Sequence, residues 1–390
     1  MGGEFFRPGQ PLKSDDLNSI VDQLMHQITG GKGINVATFG DRLIVSRKAE
    51  KDKKEVWTGV WYDRVAPLAS GSSIKKLFGR SLSPTYDILI SEDGGKGWED
   101  VSPSPGAWGP SVLDCSSDGK TLAFFHQNNH DVYVSRDRGK TWGHKYHHFI
   151  AYWEVSVAAA STYVYATDAI NRPVGTPDDY YLYRTSNGTT WTTVRTWQLG
   201  VGTGIQTPRV FCSPTGQYVM IHHYWNTYLS PVWFSDDYGV TWSANRAPTS
   251  LGVYQGAMSH SGQHVVIFCL NSTYVYSVWT SSDYGLTFTQ KGPWPTNRWP
   301  LAGRNSCTIS DDGLVITVDA YGTPSSNRYT MISNDGGLTW FAPTALQDAA
   351  SNVGYLAADS TGRNMRYWRS PLLVNMKSSD YGVSWTDMEP

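Results

Sequence analysis

The chain has 390 residues, with 38 Gly, 20 Pro, 17 Trp and 23 Tyr, and a formal net charge of −2. High glycine and aromatic content with little charge suits many short strands joined by turns. The near-zero charge gives no electrostatic footprint for nucleic acid or an anionic membrane, and no run approaches the ~20 apolar residues of a membrane span.

The chain opens Met1-Gly2-Gly3-Glu4-Phe5-Phe6-Arg7-Pro8. This start lacks the apolar core of a secretion signal and is a poor myristoylation context. Residues 5–12 read as an extended lead. Ser14 then reads as a helix N-cap, with Asp15 and Asp16 in the first turn, where the helix dipole favours acids. Leu17, Ile20, Val21, Leu24 and Ile28 follow at helical spacing, and Gly30-Gly31 ends the run. Ile34-Asn35-Val36-Ala37-Thr38 and Arg42-Leu43-Ile44-Val45-Ser46 flank Phe39-Gly40-Asp41 and predict a β-hairpin. One helix and one hairpin are too small to bury the apolar stripe, so it must pack on the rest of the chain, a second copy or another protein. Residues 1–46 are therefore expected to be a docking or oligomerisation segment. Residues 47–55 mix basic and acidic side chains without aromatics, as a solvated linker does.

From residue 56 onward one eight-residue unit recurs. Its clearest copy is Ser235-Asp236-Asp237-Tyr238-Gly239-Val240-Thr241-Trp242. Other copies begin at Ser91, Ser135, Ser281, Ser333 and Ser378, with their aspartates at Asp93, Asp137, Asp283, Asp335 and Asp380. A worn copy ends at Trp191, and in it Ser186 stands at the aspartate position. The closing aromatics are Trp98, Trp142, Trp191, Trp242, Phe288, Trp340 and Trp385, a spacing of 44 to 52 residues. A fixed period in this range marks a repeat architecture. Each copy follows a short β-type run, so the unit is expected to be a hairpin loop. Its Gly supplies positive φ, its Asp accepts bonds from the loop's own N–H groups, and its aromatic folds into the adjoining apolar layer.

A second turn with Gly precedes another strand in most repeats, at Gly119, Gly216, Gly262 and Gly313. Each repeat thus supplies about four strands, as a propeller blade requires. Little chain follows Trp385, so residues 56–62 are expected to complete the last blade and remove an unpaired edge. Cys115 and Cys212 hold the same strand position in blades that are not neighbours, which sets them too far apart to bridge. Buried free thiols are expected for these two and for Cys269 and Cys307, consistent with assembly in a reducing cytoplasm.

The pattern S-x-D-x-G-x-T-W resembles the Asp-box, also called the bacterial neuraminidase repeat. The resemblance covers nearly all of residues 56–390. It implies an all-β fold, a seven-bladed β-propeller of Asp-box repeats, in which the box is a structural hairpin on the blade periphery. A second resemblance covers the first 46 or so residues. Pro8-Gly9-Gln10-Pro11-Leu12, Asp16-Leu17-Asn18-Ser19-Ile20-Val21, Gly31-Lys32-Gly33-Ile34-Asn35-Val36 and Asp41-Arg42-Leu43-Ile44-Val45 resemble the N-terminal region of bacteriophage fibre, spike and collar-like proteins. This implies docking to other virion proteins, often as a homo-oligomer, and a location on the virion after assembly in the host cytoplasm.

The chemistry-bearing motifs are few. Gly139-Lys140-Thr141 and Gly119-Lys120-Thr121 lack the upstream glycine of a phosphate loop. The adjacent pairs His147-His148 and His222-His223 would point to opposite faces of a strand and so not share one ion. Sialidases carry Asp-boxes, but their signature Phe-Arg-Ile-Pro is represented only by Phe6-Arg7-Pro8, ahead of the repeats. Arg209, Arg298, Arg304 and Arg366 are available, yet nothing in the sequence makes three of them converge. No cofactor or metal site is expected, and the chain is expected not to be an enzyme. Binding is the favoured class: Trp225 and the cluster Trp294, Arg298 and Trp299 could stack on sugar rings and hydrogen-bond hydroxyls. The expected role is a virion appendage in tail, fibre or collar that contacts a host-surface glycan or protein. The alternatives are a sialidase-like, glycan-cleaving propeller and a cellular assembly factor, since seven-bladed Asp-box propellers also serve photosystem assembly.

Overall fold

A computed structural model describes residues 34–39, 42–47, 62–67, 77–81, 88–91, 99–103, 110–116, 118–126, 131–145, 157–170, 176–177, 179–198, 207–224, 231–248, 251–273, 275–300, 307–322, 327–346, 354–369 and 374–387. The chain divides into two compact units, Met1–Val56 and Trp57–Pro390. In the first, Ile34–Phe39 pairs antiparallel with Arg42–Arg47, the hairpin expected from the sequence. The expected helix, with Leu17, Ile20, Val21, Leu24 and Ile28, lies outside the described residues.

The second unit is all-β apart from one short 3-10 turn, Thr344–Leu346. Its described strands form seven antiparallel sheets of three or four strands, in chain order. Sheet 1 holds Tyr62–Pro67, Leu77–Ser81, Ile88–Ser91 and Glu99–Asp100. Sheet 2 holds Pro110–Cys115, Leu122–His126, Asp131–Ser135 and Gly143–Lys145, and sheet 3 holds Val157–Ala159, Val164–Ile170, Asp179–Thr185 and Thr192–Gln198. Sheet 4 holds Thr207–Cys212, Val219–Tyr224 and Val232–Ser235, and sheet 5 holds Gly252–Met258, Val265–Leu270, Tyr276–Ser281 and Thr289–Pro293. In sheet 6, Arg298–Pro300 and Cys307–Ile309 both pair with Ile316–Gly322, whose other edge takes Asn327–Ser333. Sheet 7 holds Gly354–Ala358, Met365–Arg369, Val374–Ser378 and Thr386–Asp387.

The first strands of sheets 1 to 5 lie side by side in order, and Cys307–Ile309 of sheet 6 lies beside Gly252–Met258. Gly354–Ala358 of sheet 7 lies beside Tyr62–Pro67, so the first and last sheets are neighbours. This corrects one expectation. Tyr62 opens sheet 1 instead of completing sheet 7, which carries its own two-residue outer strand, Thr386–Asp387. Residues 56–61 lie outside the described residues.

The core is not one mass but a series of seams between consecutive sheets. Between sheets 2 and 3, Ala123, Phe125, Val132 and Val134 meet Val157, Ala159, Val164 and Ala166. Between sheets 5 and 6, Val266, Phe268 and Val278 meet Ile309, Ile316 and Val318. Alternate residues of one strand serve opposite seams: Tyr165 packs toward sheet 4 and Ala166 toward sheet 2. This is why so many strands read as continuous apolar runs, Val265–Leu270 being buried along its whole length.

Candidate functional site

The repeated loops are built alike. In sheet 2, Ser135 donates its hydroxyl to Asp137 Oδ1 at 2.9 Å and accepts the Gly139 N–H at 2.7 Å. Thr141 donates its N–H to Asp137 Oδ1 at 2.8 Å and its hydroxyl to Asp137 Oδ2 at 2.6 Å. Asp237, Asp283 and Asp335 repeat this set with Thr241, Thr287 and Thr339, and Asp380 repeats it with Ser384. Burial acts to raise these carboxyls, but the hydroxyl and amide donors outweigh it and hold Asp137, Asp237, Asp283 and Asp335 below the usual carboxylate range. At Asp380 the Ser384 hydroxyl is the largest influence, with the same direction. In all five loops both carboxylate oxygens are occupied by the loop's own donors. Asp93 and Trp98 lie outside the described residues.

The fourth residue of each full-length loop takes positive φ, 63° at Arg138 and 64° at Tyr238, although it is not always Gly. The reason is a bond to the second turn of the same sheet. The N–H groups of Arg138, Tyr238, Tyr284 and Tyr381 donate to the carbonyls of Lys120, Gln217, Gln263 and Arg363 at 2.9–3.1 Å. The fifth residue must be Gly for a further reason: a Cβ on Gly285 would stand 2.4 Å from the Phe234 ring of the preceding sheet. The closing aromatics Trp142, Trp191, Trp242, Phe288, Trp340 and Trp385 then pack into the seams with the preceding sheets.

The third copy departs from its sequence reading. Ser186 does not take the aspartate role. Thr185 stands in for the serine and Asn187 for the aspartate, in a loop one residue shorter. Thr185 donates its hydroxyl to Asn187 Oδ1 at 3.1 Å and accepts the Gly188 N–H at 2.8 Å. Thr190 donates its N–H to Asn187 Oδ1 at 2.8 Å.

Among the aromatic candidates, Trp225 lies outside the described residues. Trp294 is 6% exposed, donates its indole N–H to the Arg298 carbonyl at 2.7 Å and meets Phe268 and Trp340 edge-on at 5.2 and 5.0 Å. It belongs to the seam between sheets 5 and 6, contrary to its expected place at a ligand surface. Arg298 and Trp299 do come together with two residues the sequence reading missed. The Arg298 guanidinium sits 3.8 Å above the Tyr329 ring, and Trp299 stacks on Tyr321 at 5.4 Å and 27°. Trp299 and Tyr321 are direct cross-strand partners, and Tyr321 is 38% exposed. The result is an aromatic–guanidinium patch with π faces and N–H donors, able to stack on a planar or ring-shaped group. The alternation of residues 316–322 was the signal that could have placed Tyr321 on the outer end of its strand.

The two histidines face opposite ways, as strand geometry requires. His223 accepts the Trp197 indole N–H at 2.7 Å, whereas His222 stacks on Phe211 at 5.7 Å and is fully buried. Neither His222 ring nitrogen has a hydrogen-bond partner among the described residues. Burial pushes His222 down to about 3, with the Arg209 charge adding to it, and pushes His223 down in the same direction. Arg209, Arg298 and Arg366 belong to three different sheets, and Arg304 lies outside the described residues. Among the described residues, no group of three or more His, Cys, Asp or Glu side chains could hold a metal ion, and no helix is long and apolar enough to cross a membrane. Cys115, Cys212, Cys269 and Cys307 are all free thiols.

No protein-family model and no curated protein matches the chain. Solved structures do resemble it. A GH74 xyloglucanase from Xanthomonas campestris is similar at TM-score 0.53 and 13% identity, over 83% of this chain and 54% of that one. A prolyl endopeptidase is similar at TM-score 0.56 and 11% identity, over 84% and 50%. An oligogalacturonate lyase from Vibrio parahaemolyticus is similar at TM-score 0.56 and 9% identity, over 86% and 95%. The chain thus spans about half the length of the first two. At these identities the likeness concerns the fold, which is all-β and of the β-propeller type. It also corrects the expectation that the chain is not an enzyme. That expectation rested on the fold and its loops, and all three of these similar structures are enzymes.

Proposed function

We propose that the chain is a bacteriophage virion appendage whose seven sheets are the blades of a closed Asp-box propeller that recognises a host-surface glycan or protein. In this reading residues 1–46 dock to other virion proteins, as a homo-oligomer, and residues 47–55 link them to the propeller. The observation that carries the recognition role is the patch of Trp299, Tyr321, Arg298 and Tyr329. It offers stacking faces and donors on a scaffold whose loop carboxylates are already occupied. The division into Met1–Val56 and Trp57–Pro390 and the resemblance of residues 1–46 to appendage proteins support the docking role. The test is protein identification on gradient-purified phage particles and in uninfected host cells. Presence on particles at a fixed copy number supports the reading, and presence only in uninfected cells replaces it with a cellular assembly role.

A second reading is a glycan-cleaving propeller. It is favoured by the fold-level similarity to structures named as a xyloglucanase and an oligogalacturonate lyase. Incubation of the full chain with xyloglucan, oligogalacturonides and a fluorogenic sialoside separates the two. Turnover that a single carboxylate substitution abolishes establishes the second reading.

A further inference from the structure

The second residue of the repeated loop bridges to the next sheet in two seams. In sheet 2 it is Arg136, which donates to the carbonyls of Ala160, Ser161, Thr162 and Thr185 in sheet 3 and its flanking turns at 3.0–3.3 Å. In sheet 6 it is Asn334, whose amide donates to the Tyr381 carbonyl at 3.3 Å. In sheet 4 this position is Asp236. A carboxylate accepts only, so it cannot donate to the carbonyls of sheet 5. Where Arg136 fills its seam, the seam between sheets 4 and 5 holds an open cavity of about 330 Å³.

The walls of this cavity are specific in character. Phe234 and the half-buried Trp242 give it apolar surface. Tyr218 and Tyr284, one from each sheet's turns, stack at 4.3 Å and 23° along one side. Arg246 forms the other side and is held in place: it donates to the Gly285 carbonyl at 3.1 Å, and its guanidinium lies 5.8 Å from the Phe234 ring centroid. An arginine has five N–H donors, so most of them remain for a ligand. Burial, Tyr284 and the Asp236 charge all raise the Tyr218 phenol, which places the two phenols and the acid close together.

A ligand for this cavity must satisfy an acceptor-only acid, a donor-only guanidinium, two phenols and an aromatic floor together. An anion meets Asp236, a cation meets Arg246, and a purely apolar molecule leaves both unsatisfied. A neutral pyranose has an apolar C–H face for the rings and neighbouring hydroxyls that both donate and accept. The volume is near the lower end of the ~300–1,000 Å³ range of small-molecule sites, enough for one or two sugar rings. We propose that the cavity between sheets 4 and 5, bounded by Asp236, Arg246, Tyr218, Tyr284, Phe234 and Trp242, binds a neutral mono- or disaccharide. This site is separate from the Trp299–Tyr321 patch and stands whether or not the chain is carried on a particle.

The test is saturation-transfer difference NMR on the full chain with lactose, maltose, cellobiose and N-acetylglucosamine at millimolar concentration, with sialyllactose as the anionic comparator. At least one neutral sugar is expected to bind, and Asp236→Asn and Arg246→Gln are each expected to weaken it at least tenfold. Asp236→Arg copies the bridge made by Arg136; it is expected to abolish sugar binding while leaving the thermal unfolding temperature unchanged or higher. The proposal is overturned if no neutral sugar binds. It is equally overturned if binding survives all three substitutions, or if sialyllactose binds best and Asp236→Asn strengthens it.

Discussion

Thr241 grips Asp237 twice, its N–H reaching Oδ1 at 2.8 Å and its hydroxyl reaching Oδ2 at 2.7 Å. Ser235 adds a third donor to Oδ1 at 2.9 Å. Asp237→Ala removes every one of these acceptors and is expected to cost about 1–3 kcal/mol. Asp237→Asn is expected to cost less, because Asn187 already fills this role in sheet 3. Urea denaturation of the two variants checks both values.

Acid should weaken the protein in two stages. His222 is depressed from 6.5 to about 3 and His223 is depressed as well, so the folded state binds fewer protons than the unfolded chain. Their stability is complete above about pH 6.5 and is lost as pH falls toward the folded values. The loop aspartates are also depressed, so their contribution is complete above the ordinary carboxylate range and is lost only below about pH 4. Denaturation midpoints between pH 8 and 3 should therefore fall in two steps. His222→Leu should flatten the upper step and hold or raise stability at pH 7, since it removes a buried imidazole whose nitrogens are unpaired among the described residues.

Asp114 runs the other way. Its carboxylate accepts the Ala159 N–H at 2.8 Å, yet burial outweighs that bond and raises it to about 7. A raised carboxyl favours the fold at low pH and is lost as pH climbs through the folded value. Asp114→Asn is expected to stabilise the protein at pH 8 and to change little at pH 4, as thermal unfolding at the two pH values will show.

Trp340 and Phe288 occupy equivalent loop positions, and the Trp340 indole N–H is buried without a partner among the described residues. Trp340→Phe is expected to change stability by less than about 1 kcal/mol, because the lost packing is offset by removal of a desolvated donor. Trp340→Ala opens the seam with Phe268 and Trp294 and is expected to cost about 3 kcal/mol. Chemical denaturation of both variants distinguishes packing from polarity as the role of this ring.

Much of the fold was legible because its signals are local. The Gly of each loop, the hydroxyl two residues after it and the aromatic that follows mark a hairpin wherever they recur, and each described copy folds as one. Ser186 was misread because a gapless comparison cannot show a missing residue; Thr185 and Asn187 rebuild the same bonds one position off. Trp294 was misread for a different reason. A tryptophan in a proline-rich loop looks exposed until its neighbours in space, Phe268 and Trp340, are known. Likewise Tyr321 and Tyr329 gained meaning only from the register that sets Trp299 against Tyr321 and the fold that carries Arg298 over Tyr329. The cavity beside Asp236 depends on what one side chain cannot donate across a seam, which no single stretch of sequence displays.

The central claim is a closed ring of seven sheets held by loops that bind their own aspartates. A crystal structure of the full chain tests it most directly. The expected result is Gly354–Ala358 packed beside Tyr62–Pro67, seven blades in the ring, and Asp137, Asp237, Asp283, Asp335 and Asp380 each bonded to the Thr or Ser of its own loop. A different blade count, a gap between the first and last sheets, or those carboxylates turned toward a shared ion or ligand would contradict it.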